Sequence, residues 1–213
     1  MKKIVTIGSI TVVAAILLTY FFFKPELLHY FGRPNGAIVL GEKEEVQKTL
    51  SDVKSKISAQ ENYTLKESKI NDKKVLFLSK TTAEALNKRG LMNTVKRVKG
   101  PKGLEIEKLI TLPAVPTGKG ILFAREDLKE GATKSVESEQ KLITEYKGDT
   151  IIGEGSRFPG ENSYVMVSDD IFASIKAPEK QLTVLLADVE NGKSLIKLSD
   201  TIDYINASLK PWK

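Results

Sequence analysis

Apolar positions along this chain follow two rhythms. Short apolar runs predict strands at Ala37–Leu40 (AIVL), Val75–Leu78 (VLFL), Gly120–Ala124 (GILFA), Tyr164–Val167 (YVMV) and Gln181–Ala187 (QLTVLLA). Helical spacing appears at Val46, Leu50, Val53 and Ile57, which predicts a helix over Glu42–Gln60 with one apolar stripe. Glu42, Glu44 and Glu45 suit its positive N-terminal end. Leu198, Ile202, Ile205 and Leu209 also share a helical face, predicting a closing helix over Ser199–Leu209 capped by Ser199.

Turn signals divide these segments. Alternation over Tyr63–Ile70, then Asn71-Asp72 and VLFL, predicts a hairpin. Lys141–Tyr146 and Thr150–Gly153 predict a second hairpin across Lys147-Gly148-Asp149. Thr81 or Thr82 is placed to cap a short helix, with Glu84 completing a capping box from Thr81 and Gly90 ending it. Ser168 is placed to cap Asp169–Ile175. Arg125–Glu130 reads as a helical turn. Residues 94–119, rich in Lys, Gly and Pro, read as strand fragments and loops, and Gly153–Asn162 as a loop. The fold expected is α/β (α+β): one domain over 36–213 with a mixed sheet and short helices.

The front of the chain differs. Residues 4–23 (IVTIGSITVVAAILLTYFFF) hold no charge over 20 positions. As a helix this segment covers roughly 30 Å, the thickness of a bilayer core. Lys2 and Lys3 precede it, favouring a cytoplasmic N-terminus, and Tyr20–Phe23 suit the membrane interface. The apolar stretch is long for a cleaved signal and lacks a small-residue cleavage site. Residues 1–23 are therefore expected to be an uncleaved signal-anchor whose partner is the bilayer through 4–23. Residues 24–35 form a juxtamembrane stalk carrying His29, and residues 36–213 lie outside the cytoplasm.

One junction recurs: an apolar strand runs into a small or turn residue and then a helix start. It is clearest in VLFLS-KTTAEAL and YVMVS-DDIFASI. Any α/β domain reuses such a junction, so it does not by itself establish a duplication.

Composition narrows the chemistry. The 213 residues include no cysteine and one histidine. Disulfides, thiolate nucleophiles and Cys-ligated metals are excluded, and a Ser-His-Asp triad or multi-histidine site in the domain is not expected. The net charge is +6, and half of it sits in residues 1–33, where Lys2, Lys3, Lys24 and Arg33 face Glu26. The remaining charge is too small for a nucleic-acid binder. Lys96, Arg97, Lys99 and Lys102 form the densest basic cluster, suited to anionic lipid or wall polymer but also ordinary for a solvated loop. Gly153–Gly160 is glycine-rich, yet contains Pro159 and leads to a strand, unlike a phosphate cradle. Asp169-Asp170 reads as a helix-start pair rather than a catalytic one.

Val95–Gly100 (VKRVKG) resembles the lysine-bearing box of type I signal peptidases, with Lys96 in the lysine role. No Ser-Met-x-Pro motif precedes it, and Pro101-Lys102-Gly103 stands where Pro-Gly-Asp is usual. The order Asn35–Gly41, VLFLSKTTAEAL, KGILFA, GDTIIGEG and YVMVSDD resembles an uncharacterised family of small lipoproteins from Bacillus-type bacteria. That resemblance covers nearly the whole domain and implies an envelope location, with no assigned activity. Family members would carry an acylated cysteine, which is absent from these residues. Tyr164–Asp170, Phe172, Ile175 and Leu182–Asp188 resemble part of the extracytoplasmic domain of FtsX/MacB-class permeases, which implies a binding or sensing module.

The function expected is a non-catalytic binding or interaction domain of the cell envelope, with an envelope or membrane protein as partner. The alternative is a membrane-anchored hydrolase of Ser/Lys or carboxylate type. No residue is assigned a catalytic, cofactor-binding or metal-ligating role, and no cofactor is expected.

Overall fold

A computed structural model describes residues 36–70, 73–97, 104–126, 142–153, 163–187 and 203–207. The stretch 4–23, His29, Lys99, Lys102 and most of the 153–162 loop lie outside the described residues. Among the described residues, no helix is long and apolar enough to cross a membrane.

The architecture is a sheet-dominated α+β arrangement. Its strands are β1 (Gly36–Gly41), β2 (Ile57–Ile70), β3 (Lys73–Ser79), β4 (Met92–Arg97), β5 (Leu104–Lys108), β6 (Lys119–Ala124), β7 (Ile143–Tyr146), β8 (Thr150–Ile152), β9 (Ser163–Val167), β10 (Glu179–Ala187) and β11 (Asp203–Ala207). Its helices are α1 (Lys43–Val53), α2 (Lys80–Lys88) and α3 (Asp169–Ser174). Eight strands form a mixed sheet in the order β11-β1-β10-β2-β3-β9-β6-β7, and β5-β4-β8 form a smaller sheet. Pairs in the large sheet are antiparallel except β3–β9 and β6–β7. These senses place Gly36 and the ends of β3 and β9 at one end of the sheet. The ends of β6 and β7 lie at the other.

The apolar runs are strands covered on both faces, which explains their lack of alternation. Leu76, Leu78, Ile121, Phe123, Tyr164 and Met166 face one core cluster, shared with Leu86 of α2 and with Met92 and Ile152 of the small sheet. Their neighbours Val75, Phe77, Leu122, Val165 and Val167 face the other, together with Ile175 and, at its margin, Phe172. α1 packs across β1 and β10 and buries Val46 and Leu50.

Four local expectations are corrected. The first helix ends at Val53; after a short 3-10 turn, Ile57 opens β2 instead of extending the stripe. Ile57 fits both periods, and the long antiparallel ladder of β2 with β10 decides between them. The cap of α2 is Ser79, whose hydroxyl accepts from the Thr82 N–H, in place of Thr81 or Thr82. Gly90 does follow with φ +70°, as its spacing predicts.

β7 and β8 make no hairpin, because they belong to different sheets. The Lys147 N–H donates to the Leu122 carbonyl (2.9 Å) and the Ala124 N–H to the Gly148 carbonyl (3.0 Å), so the link continues along β6. Gly148, at φ +94°, then turns the chain, and the Asp149 carbonyl accepts from the Val95 N–H of β4 at 2.9 Å. Within the expected C-terminal helix, residues 203–207 form β11, with Ile205 opposite Ile38 of β1. A vacant ladder beside β1 outweighs helical periodicity there.

Candidate functional site

The small sheet leaves the body of the domain as a ribbon. β4 starts buried at Met92 and Asn93, is half-buried at Thr94 and Val95, and is exposed at Lys96 and Arg97. β5 is exposed throughout. Its base is held by Asn93, whose Nδ2 donates to the Gly153 carbonyl at 2.6 Å. Directly opposed residues of an antiparallel pair share a face. Val95–Ile106 and Arg97–Leu104 therefore lie on one face, and Thr94–Glu107 and Lys96–Glu105 on the reverse.

The first face walls an open groove of about 850 Å³. Its other wall is built from Arg125 and Glu126 at the end of β6 and from Tyr146, Gly148 and Asp149 of the β7–β8 link. Ile151 lines it from β8. Leu104 and Ile106 are 59% and 41% exposed, and Ile110 beyond β5 is 93% exposed. These side chains leave aliphatic surface open to solvent beside Arg97 and Arg125. On the reverse face Lys96 Nζ donates to Glu107, which holds its ammonium protonated above the ordinary lysine range.

A second feature lies at the opposite end of the large sheet. The parallel pairing of β3 with β9 sets the two Ser-ended junctions side by side. Ser168 Oγ accepts from the Ile171 N–H at 3.4 Å, matching the role of Ser79. Asp169 reaches across to the neighbouring unit. Its Oδ2 accepts from Thr81 Oγ1 (2.8 Å) and its Oδ1 from the Thr81 N–H (3.2 Å). These bonds from Thr81, side chain first, hold the Asp169 carboxyl below its usual range. The N-terminal end of α2 is thus occupied by the protein's own carboxylate.

The remaining ionisable clusters are built into the scaffold. Lys66 is 7% exposed and its Nζ donates to the carbonyls of Phe172 (2.9 Å), Ala173 (3.4 Å) and Ile175 (2.6 Å) at the end of α3, over the Phe172 ring. Glu61 receives Arg89 through both carboxylate oxygens and the Tyr63 hydroxyl at 2.5 Å. Arg89, as the main influence, lowers the Glu61 pKa, while burial and then Glu61 push the Tyr63 hydroxyl above its ordinary range. Among the described residues, no three His, Cys, Asp or Glu side chains gather where a metal could be held.

Of the basic cluster, Arg97 thus lies on the groove face and Lys96 turns its ammonium to Glu107 on the reverse, while Asp169 serves helix ends as its position predicts. Leu104, Ile106 and Arg125 were not singled out by the sequence. The alternation Leu104-Glu-Ile106-Glu-Lys108 was the available signal, since it marks a strand with one apolar row.

The comparisons with known proteins agree on one relationship. A family described as an uncharacterised lipoprotein family matches residues 34–207. A crystal structure of a candidate lipoprotein from Bacillus anthracis superposes with a TM-score of 0.67 at 28% identity, covering 83% of this chain and 99% of that one. No curated protein matches. With the family matched over most of its length, this chain belongs to an uncharacterised lipoprotein family, a class associated with the membrane of the cell envelope.

Proposed function

We propose that this protein is held in the cell membrane by residues 4–23 and presents residues 36–213 outside the cytoplasm as a non-catalytic binding domain. Its binding surface is the groove face of the β4–β5 ribbon. The observation that carries this reading is the exposed Leu104–Ile106 row facing Arg125 across an open cleft, borne on a strand that is exposed along its whole length. Membership in a lipoprotein family supports the envelope address, and the uncharged segment behind Lys2 and Lys3 supports the anchor.

The test is photo-crosslinking in intact cells from a reactive residue at Ile106, with exposed Lys43 of α1 as control. Adducts are expected at Ile106 and their loss on adding Leu104→Asp. Equal adducts at both positions would overturn the surface assignment. Protease added to wall-stripped cells should digest the domain, and protection would overturn the topology.

A further inference from the structure

The outer edge of the ribbon carries an inference that rests on the reading of the groove as a binding surface. β5 has β4 on one side and, among the described residues, no strand on the other. Two hydrogen bonds fix which way its backbone groups point. The Leu109 N–H donates to the Met92 carbonyl at 2.9 Å, so Leu109 faces β4. The Val95 N–H donates to Asp149, away from β5, so the Val95–Ile106 pair exchanges no bonds. Backbone groups alternate sides along a strand. Glu105 and Glu107 therefore turn toward β4, and the N–H and C=O groups of Leu104, Ile106 and Lys108 turn outward. This edge is a template for another strand.

The side chains select which strand. Leu104 and Ile106 form the row on the groove face, and Glu105 and Glu107 the row on the reverse. A second copy of β5, paired antiparallel about Ile106, would set Glu105 of one copy opposite Glu107 of the other, twice. Directly opposed like charges disfavour such pairing. A strand with apolar residues on one face and Lys or Arg on the other satisfies both rows. The bilayer is the less suited occupant. The chain enters the domain at Gly36, at the opposite end of the large sheet from the ribbon. A tether attached there favours the ribbon facing away from the membrane.

The geometry points to strand addition: an extended segment of a partner protein, apolar on one face and basic on the other, pairs with β5 at Leu104–Lys108. The main-chain bonds supply the attraction and the two side-chain rows the selectivity.

The test uses the full chain in non-ionic detergent and two labelled peptides, one alternating Val and Lys, the other Val and Glu. The Val-Lys peptide should bind about tenfold more tightly, as two reversed cross-strand charge pairs predict. Amide exchange over 104–108 should slow on binding. Glu105→Gln with Glu107→Gln should erase the preference. Ile106→Pro removes an outward N–H and leaves the β4 ladder intact, so it should abolish binding, whereas Ile106→Ala should only weaken it.

Equal affinity for the two peptides, or equal loss in the Pro and Ala variants, would overturn strand addition. Protection of 104–108 by phosphatidylglycerol vesicles without peptide would assign the edge to the membrane. Protection that grows with protein concentration alone would assign it to a second copy. Failed peptide binding alongside specific crosslinks from Ile106 would sink strand addition alone, and loss of both would sink the groove itself.

Discussion

β3 and β5 are strands of seven and five residues, and both carry aliphatic side chains, within an unbroken apolar run in β3 and alternating with glutamate in β5. β3 lies between two neighbours and beneath cover on both faces, so Val75 to Ser79 are all buried. β5 has one neighbour, and every residue from Leu104 to Lys108 is exposed. The same side-chain chemistry therefore serves stability in one strand and leaves surface available for contact in the other. Position in the sheet, rather than residue type, assigns the role.

The contrast can be broken most directly at Phe77. Phe77→Ala should cost about 3–5 kcal/mol in urea unfolding, since the ring is fully buried. A loss below about 1 kcal/mol would put the burial of β3 in doubt. Lys66→Met keeps the side-chain length and removes the ammonium from three carbonyls at the end of α3. A cost of about 1–3 kcal/mol is expected, and a neutral result would show those carbonyls satisfied without it.

The Glu61–Arg89 pair sharpens the comparison at intermediate exposure. Arg89 depresses the folded-state pKa of Glu61 below its ordinary value of 4.5. Its contribution is therefore present above that value and is lost as the pH falls through the depressed pKa. Glu61→Gln should flatten the stability–pH curve below about pH 4.5 by about 1 kcal/mol or less, because the pair is partly solvated. An unchanged acid limb would show that the pair carries no net weight. At the small end, Leu104→Ser with Ile106→Ser should leave stability within about 0.5 kcal/mol. A larger loss would make β5 part of the core and end the contrast.

The sheet interior was legible because its strands are buried on both faces. VLFL, GILFA and YVMV each read as strands without knowledge of their partners. Segments whose state depends on distant partners were not. Ile57 suits a helix stripe equally well, and only its ladder with β10 makes it a strand. Ile205 fits a helical face, yet pairs with Ile38. The β7–β8 link has the look of a turn, although its backbone bonds go to β6 and β4. For the candidate site, the basic residues Lys96 and Arg97 were visible as a run. The apolar row beside them was not, because exposure depends on which edges and faces the fold leaves uncovered.

The placement of β1 has a consequence for synthesis. Both of its ladder partners, β10 and β11, come from beyond residue 178. A chain emerging N-terminus first displays the AIVL segment long before either neighbour exists. Such a segment is a sticky nascent-chain element that must be shielded while nearly the whole polypeptide is produced. The order of translation and the order of assembly thus run against each other in this protein, and the first strand made is among the last to be enclosed.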